Sequence, residues 1–162
     1  METTLETGGR LLIVYDGHCG LCNHSVRWSL RRDSGDRLRF IASQSEKVAA
    51  VLARHGLTDS TSIAELPAGS PAANGSPFNL GTILVLRGIG TDAEQLLTRS
   101  NAIIAILHEL PQPWPIAAAA LHLIPRPLRD LVYRIIARNR YRIWGRLESC
   151  PIPTAAERAR FL

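Results

Sequence analysis

Two cysteines in the segment "LLIVYDGHCGLC" (residues 11–22) constrain the fold more than any other feature of the chain. Residues 11–15 form an apolar run that is typical of a buried strand, and Asp16 marks its end. The residues after the second cysteine have helical spacing of apolar side chains. Cys19 and Cys22 therefore lie where a buried strand passes into a helix. This placement predicts a strand–helix unit with both thiols in the first turn of the helix.

The rest of the chain alternates between strand-like and helix-like segments. A second strand, "RLRFIA", precedes a helix that Ser45 caps and Gly56 ends. Two further strands, "TILVL" and "EQLLTR", are joined by the tight turn "RGIGTD" and precede a helix that begins near Ser100. Additional helices are predicted near 114–123 and at 127–139. This thioredoxin-like order predicts an α/β fold of three layers, a mixed central sheet flanked by helices, with additional C-terminal helices.

The length of 162 residues fits one domain with a hydrophobic core. We expect a flexible N-terminal arm at 1–10 and a single domain at 11–162. The stretch 57–81 is dense in Ser, Pro, Gly and Asn, which predicts a long surface loop. Residues 113–162 are predicted to form a basic helical extension of the domain.

Cysteines at the start of a helix have a particular chemistry. With Cys19 at the N-cap, free backbone N–H groups and the positive end of the helix dipole favour its thiolate. Cys22 lies one turn further on and can reach back to Cys19. The spacing predicts that Cys19 attacks a disulfide and that Cys22 resolves the mixed disulfide. Gly20, between them, leaves room for the close approach of a substrate backbone.

Three residues before the cysteine pair are expected to support it. Asp16 is predicted to accept hydrogen bonds from N–H groups of the loop, and Gly17 to relieve backbone strain there. His18, as an imidazolium, would favour the Cys19 thiolate further. The alternative for His18 is an exposed loop histidine with no special role.

The motif Asp16-x-x-Cys19-x-x-Cys22 resembles the defining pattern of the DCC family, which are predicted thiol-disulfide oxidoreductases with a thioredoxin-like fold. The similarity continues in "LRFIASQSE", in "TRSNAIIAIL" and in the C-terminal segment, including its "NRYR" core and "RFL" ending. It covers nearly the whole chain outside the N-terminal arm and the loop around 60–80. The resemblance implies disulfide exchange at Cys19 and Cys22, and it implies no particular substrate.

Two positions depart from thioredoxins themselves. Thioredoxins place a cis-proline before the strand that faces the active site, whereas here Gly81 precedes "TILVL" and the nearest proline is Pro77. Thioredoxins also carry Trp before their motif, where this chain has His18. We therefore expect substrate binding to differ from that of thioredoxin.

The cysteines would also suit a metal. Cys19 and Cys22, with His24 or Cys150, could supply ligands for zinc or an iron–sulfur cluster. A single Cys-x-x-Cys without a second matching pair supports such a site weakly, so the main prediction includes no metal and no cofactor. Cys150 is otherwise expected to be a small buried residue.

Positive charge is concentrated at the C-terminus. The net charge is +5, and residues 126–162 carry nine arginines against three acids. The helix predicted at 127–139 has an apolar stripe at helical spacing. Its members are Leu128, Leu131, Val132, Ile135 and Ile136. Aromatic residues are expected to anchor this helix to the core with its arginines in solvent. The alternative is a non-enzymatic binding module whose basic helix docks on an anionic partner.

The N-terminus lacks the basic start and apolar centre of a secretory signal, and no apolar run approaches the roughly 20 residues that span a bilayer. The predicted location is therefore cytoplasmic. Expected partners are a protein or small-molecule thiol or disulfide, together with an unidentified reductant or oxidant. A nucleic-acid partner is not expected, while a peripheral membrane surface or a membrane-protein partner stays open.

Overall fold

A computed structural model of the chain describes residues 7–55, 82–148, 153–155 and 157–162. The predicted loop at 57–81 lies outside the described residues, as does Cys150. Of the predicted N-terminal arm, only residues 7–10 are described. Thr7 is buried there, and the Arg10 guanidinium donates to both the carbonyl and the carboxylate of Asp36.

The chain folds as strands and helices in the predicted β-α-β-α-β-β-α order, followed by further helices. The strands are β1 (Leu11–Tyr15), β2 (Leu38–Ala42), β3 (Leu84–Arg87) and β4 (Gln95–Thr98). The helices are α1 (Gly20–Arg32), α2 (Glu46–Arg54), α3 (Arg99–Glu109), α4 (Trp114–Leu123) and α5 (Arg126–Trp144). A short 3₁₀ turn, Arg158–Arg160, lies near the C-terminus. The α/β class predicted from the sequence is confirmed.

The four strands form one mixed sheet in the order β2-β1-β3-β4. Strand β1 pairs in parallel with β2 and antiparallel with β3, and β3 pairs antiparallel with β4. Parallel neighbours need a crossover, and α1 supplies it between β1 and β2. The segment that carries both cysteines therefore emerges from the carboxyl end of a central strand.

Alternation along β1 divides the core into two layers of side chains. Leu12 and Val14 face α2, while Leu11, Ile13 and Tyr15 face α1 and α3. Because β1 is buried on both faces, its sequence reads as a continuous apolar run rather than an alternating one. The result is the predicted arrangement of three layers, with helices on both sides of the sheet.

Helix α5 does not bury the apolar stripe that its sequence contains. It packs against α1 and α3, yet the stripe residues are about half exposed, from 44% for Ile136 to 53% for Ile135. The prediction that this helix turns its arginines to solvent is wrong for Arg140, which is 3% exposed. Of the helices that the structure describes, none is both long and apolar enough to cross a membrane.

The C-terminal residues return to the sheet and close one end of α1. Asp33 ends α1, and its buried carboxylate accepts hydrogen bonds from the backbone N–H groups of Arg37 and Leu38. The Arg160 guanidinium binds the same carboxylate at 3.0 Å. Phe161 then packs on the ring of Phe40. Asp33 therefore joins the end of α1, the start of β2 and the C-terminus.

We predict that Asp33→Ala lowers the free energy of unfolding by about 3 kcal/mol, because it leaves the buried N–H of Leu38 and the half-buried N–H of Arg37 without their acceptor and removes one of the two carboxylates that bind Arg160. Urea denaturation would measure this as a lower midpoint with an unchanged slope. Asp92→Ala, at an exposed position of the β3–β4 turn, is the matched control. Equal stability of the two variants would contradict the role given to Asp33.

Candidate active site

Cys19 occupies the N-cap of α1, as the position of the motif predicts. Its backbone is extended (φ −87°, ψ 119°), and its Sγ accepts a hydrogen bond from the backbone N–H of Cys22 at 3.3 Å. A sulfur in this position faces the free N–H groups and the positive end of the helix dipole, both of which favour a negative charge. Cys19 is fully buried and Cys22 is half-buried.

The two thiols of the pair differ in acidity. Hydrogen bonds from the Cys22 thiol and backbone N–H, with the nearby Arg140 guanidinium, lower the pKa of Cys19 from 9.0 to about 7, although burial and Asp16 oppose the shift. The same thiol–thiol hydrogen bond, with burial, raises the pKa of Cys22 well above 9.0. A pKa of about 7 gives Cys19 a much larger thiolate fraction at neutral pH than the few per cent of an ordinary thiol. Cys19 is therefore the more acidic thiol of the pair.

Asp16 holds the loop between β1 and α1 in place. One carboxylate oxygen accepts hydrogen bonds from the backbone N–H of His18 at 3.0 Å and from the side-chain amide of Gln44 at 3.3 Å. The Gln44 carbonyl oxygen in turn accepts from the N–H of Gly17. Asn23, on the first turns of α1, donates to the carbonyls of Gly17 and Cys19 at 2.6 and 3.0 Å. The loop is thus fixed by side chains on both sides of it.

The second oxygen of the Asp16 carboxylate binds helix α5. It lies 3.4 Å from the Arg140 guanidinium and accepts a hydrogen bond from the Tyr141 hydroxyl. Arg140 also donates to the Tyr141 hydroxyl at 3.0 Å. Burial and the bond to Asp16 raise the pKa of Tyr141 to about 12, so this hydroxyl stays protonated and remains a donor. The buried Asp16 carboxylate and Arg140 guanidinium thus form one hydrogen-bonded group with the half-buried Tyr141 phenol, next to the cysteine loop.

Sequence reasoning assigned neither Arg140 nor Tyr141 to the site. The "NRYR" segment is part of the family resemblance, but the sequence predicts that its arginines lie in solvent. Arg140 supplies the cationic group near the Cys19 thiolate that the sequence suggested for His18. The His18 ring instead lies 3.2 Å from the carbonyl oxygen of Leu147 through Nδ1. The signal for Arg140 was the NRYR resemblance itself, since nothing local distinguishes it from the other arginines of the helix.

A short segment after α5, residues 145–147, crosses over the cysteine loop, and we call it the strap. Gly145 has φ 72°, a left-handed conformation that favours glycine, and it turns the chain back from the end of α5. The Gly20 N–H donates to the Gly145 carbonyl at 3.4 Å, and the Leu147 N–H donates to the His18 carbonyl at 2.8 Å. Arg146 pairs with Cys19 in a single antiparallel bridge and stacks on Tyr141. The strap therefore lies against Cys19.

Gly20 was predicted to admit the backbone of a substrate, and in the structure it admits the chain's own backbone. A Cβ at this position would lie 2.3 Å from the carbonyl oxygen of Trp144, a distance that real Cβ atoms do not reach. The close approach of the strap thus requires glycine at the first position of α1.

The ligands suggested for a metal are not brought together in the described residues, in which no group of three or more His, Cys, Asp or Glu could hold an ion. His24 is exposed on α1. Cys150 lies outside the residues that the structure describes, so its suggested part in a metal site stays a prediction.

Comparison with known proteins agrees with this geometry. The model of the DCC1-like thiol-disulfide oxidoreductase family matches residues 13–76 and 76–146. The chain belongs to the DCC family. It is 28% identical over 151 residues to the uncharacterized protein YuxK of Bacillus subtilis, with 93% of each chain covered. It is also 26% identical to a chloroplastic DCC family protein of Arabidopsis thaliana, over 91% of this chain and 72% of that protein. No solved structure matches the chain significantly.

The family match extends across both halves of the site. Residues 13–76 include the cysteine motif and Gln44, and residues 76–146 include Arg140, Tyr141 and the start of the strap. The family resemblance that the sequence suggested is therefore confirmed, as is the thioredoxin-like α/β fold of a DCC protein.

We predict that Arg140→Gln raises the pKa of Cys19 above its value of about 7, because the variant removes a cation and leaves the Asp16 carboxylate to oppose the thiolate. The ultraviolet absorbance of the thiolate, titrated between pH 5 and 10, measures this pKa. The matched control is Arg142→Gln, at an exposed position of the same helix. A titration midpoint that is identical in both variants would remove Arg140 from the site.

We predict that Gly20→Ala detaches the strap and speeds alkylation of Cys19 by iodoacetamide about fivefold. The reason is that the new Cβ breaks the strap's contact with α1, and the loss of one hydrogen bond, about 1 kcal/mol net, makes the open form about five times more populated. Rates are compared at a pH that gives each protein the same thiolate fraction, so that a change in pKa is separated from a change in access. Gly35→Ala, whose new Cβ would meet only the flexible Arg37 side chain, is the control. An unchanged alkylation rate in folded Gly20→Ala would show that the strap does not shield the thiol.

Proposed function

We propose that the protein is a thiol-disulfide oxidoreductase in which Cys19 attacks and Cys22 resolves. The single observation that carries this proposal is the N-cap position of Cys19, where its Sγ accepts the Cys22 N–H beside the buried Arg140. The family match to thiol-disulfide oxidoreductases supports the same reaction class.

In the first step, the Cys19 thiolate attacks one sulfur of a disulfide R–S–S–R′. A bond forms between Cys19 and the sulfur of R, the S–S bond breaks, and R′S⁻ leaves with the electron pair. A thiol with a pKa of about 7 suits this step, because it combines a large thiolate fraction with retained nucleophilicity.

In the second step, Cys22 displaces the substrate. In the free protein, the hydrogen bond to Cys19 and the negative charge of Cys19 both raise the pKa of Cys22. Both are lost once Cys19 is part of a mixed disulfide, so the pKa of Cys22 falls. Cys22 can then lose its proton and attack Cys19 Sγ, which releases RS⁻ and forms the Cys19–Cys22 disulfide. Two electrons pass from the cysteine pair to the substrate, and an external thiol must return them; in reverse, the pair oxidises a dithiol.

Access to Cys19 is part of the proposal. The thiol is fully buried beneath the strap, so a disulfide can approach its sulfur only after residues 145–147 move. The strap is held near the loop by few backbone hydrogen bonds, each of which contributes about 1 kcal/mol net. Moving the strap away from the loop therefore requires little free energy. The strap selects substrates that compete with it for hydrogen bonds to the backbone of His18 and Gly20.

We propose a cytoplasmic location, where thiols are kept reduced and a free cysteine pair can turn over. The chloroplastic location is a property of the Arabidopsis relative.

We predict that Cys22→Ser traps a mixed disulfide at Cys19 when the reduced protein meets oxidised glutathione, because no thiol remains to resolve it. Mass spectrometry of the digested, alkylated protein locates the glutathione. Cys19→Ser is the control and should carry no adduct within the motif, while Cys150→Ser should behave as wild type. An adduct at Cys150 in place of Cys19 would contradict the assignment.

A further inference from the structure

The large exposed apolar side chains of the described residues come from one segment of the chain. Among the described residues, every large hydrophobic side chain that is exposed lies between positions 116 and 144. The set comprises Ile116, Leu123, Ile124, Leu128, Leu131, Val132, Ile135, Ile136, Ile143 and Trp144. We call this set the apolar face. Scattered apolar residues on a surface are ordinary, but a continuous patch of this kind marks an interaction site.

Part of the apolar face borders a groove that three helices share. An open groove of about 390 Å³ runs between α3, the end of α4 and α5. Its walls are almost wholly apolar, with Ile103 and Ile104 on one side and Ile124, Leu128 and Val132 on the other. The groove joins the end of α4 to the stripe of α5, because Ile124 lines it together with Leu128, Val132 and Ile136.

The charge of this surface is strongly one-sided. Residues 111–147 contain seven arginines and a single acid, Asp130. Asp130 is already engaged, because its carboxylate accepts from the Ser100 hydroxyl and lies 3.6 Å from Arg126. Arg134, Arg138 and Arg142 recur at every fourth position of α5 and are exposed, so they form a row along one edge of the stripe.

Arg129 gives the groove a cation of its own. It lines the groove, and its buried Nε and Nη1 atoms have no hydrogen-bond partner among the described residues. A buried polar group without a partner is unfavourable, and a buried cation more so. An anionic group at the groove would compensate the charge of this guanidinium.

From these observations we propose that the apolar face binds the surface of an anionic lipid bilayer, with acyl chains against α4, the groove and α5 and lipid phosphates on Arg129 and the row of arginines. An amphipathic helix with aliphatic side chains on one side and arginines along its edge is the arrangement that lies in a bilayer interface. Long arginine side chains keep their charge at the headgroups while their stems follow apolar surface.

Two other occupants fit these observations less well. A second copy of the chain that docks by the same face would bring two rows of arginines together, and the single acid of residues 111–147, Asp130, is already engaged. Protein interfaces are enriched in aromatic residues and methionine, whereas the apolar face consists of Ile, Leu and Val with one Trp. An aliphatic face bordered by cations is the composition that suits acyl chains and phosphates.

Docking in this way would place the cysteine pair beside the bilayer. The side of α5 opposite the stripe carries Arg140, which contacts Asp16, and the helix ends at Trp144, whose carbonyl lies against Gly20. The same helix thus faces the site on one side and the lipid on the other. The lipid proposal does not depend on the redox proposal, since vesicle binding is measured without any thiol chemistry.

The test is co-sedimentation of the full chain with vesicles of phosphatidylcholine alone or with 30% phosphatidylglycerol. We expect binding to the anionic vesicles, weaker binding as salt is raised, and little binding to the neutral ones. The variant Arg129→Gln/Arg134→Gln/Arg138→Gln should weaken binding roughly 100-fold, at about fivefold for each arginine. The matched control is Arg27→Gln/Arg31→Gln/Lys47→Gln, which removes the same charge from exposed positions outside the apolar face.

A second variant tests the apolar part. Leu131→Ser/Ile135→Ser alters side chains that are 46% and 53% exposed, so it should fold normally by circular dichroism and lose binding at least tenfold. Equal binding to neutral and anionic vesicles would overturn the proposal, as would equal weakening by the two triple variants. Absence of vesicle binding also overturns it, and self-association abolished by Leu131→Ser/Ile135→Ser would then identify a second copy as the occupant.

Discussion

The buried group of Asp16, Arg140 and Tyr141 is the interaction on which the site depends. It joins two parts of the chain that lie more than 120 residues apart, the end of β1 and the last turns of α5. A buried ion pair is weak support for stability in itself, because desolvation of both charges opposes their attraction. The ion pair instead fixes the relative position of the two segments, since the loss of either partner would leave a buried charge uncompensated.

Three properties of the site follow from that group. The carboxylate holds the loop before Cys19 through the N–H of His18, and the guanidinium favours the Cys19 thiolate. The anchored end of α5 also places Gly145 where the chain can turn back as the strap. Asp16 and Arg140 act on the thiolate in opposite senses, and the hydrogen bonds from Cys22 are the largest influence on its pKa. The acidity of Cys19 is thus set mainly within the motif and adjusted from α5.

Local sequence rules were sufficient for much of the fold and for part of the site. Periodicity and turn residues located the strands and helices, because each element is encoded by its own neighbours in the chain. The N-cap position of Cys19 follows in the same way from an apolar strand, a short loop and a helix. Arg140 could not be found by such rules, since its burial depends on a carboxylate 124 positions away.

The apolar stripe of α5 shows a second limit of prediction from local sequence. Its spacing predicted a helix, but not whether Leu131 and Ile135 would meet a core or remain exposed.

The central claim, a reversible disulfide between Cys19 and Cys22, is tested most directly by a redox titration. The protein is equilibrated in glutathione buffers of known potential, with and without a chelator, and its free thiols are read by differential alkylation and mass spectrometry. The account predicts a two-electron transition confined to Cys19 and Cys22, at a potential between about −270 and −120 mV and unaffected by the chelator. Cysteines that resist alkylation until the chelator is added would contradict it and identify a metal site.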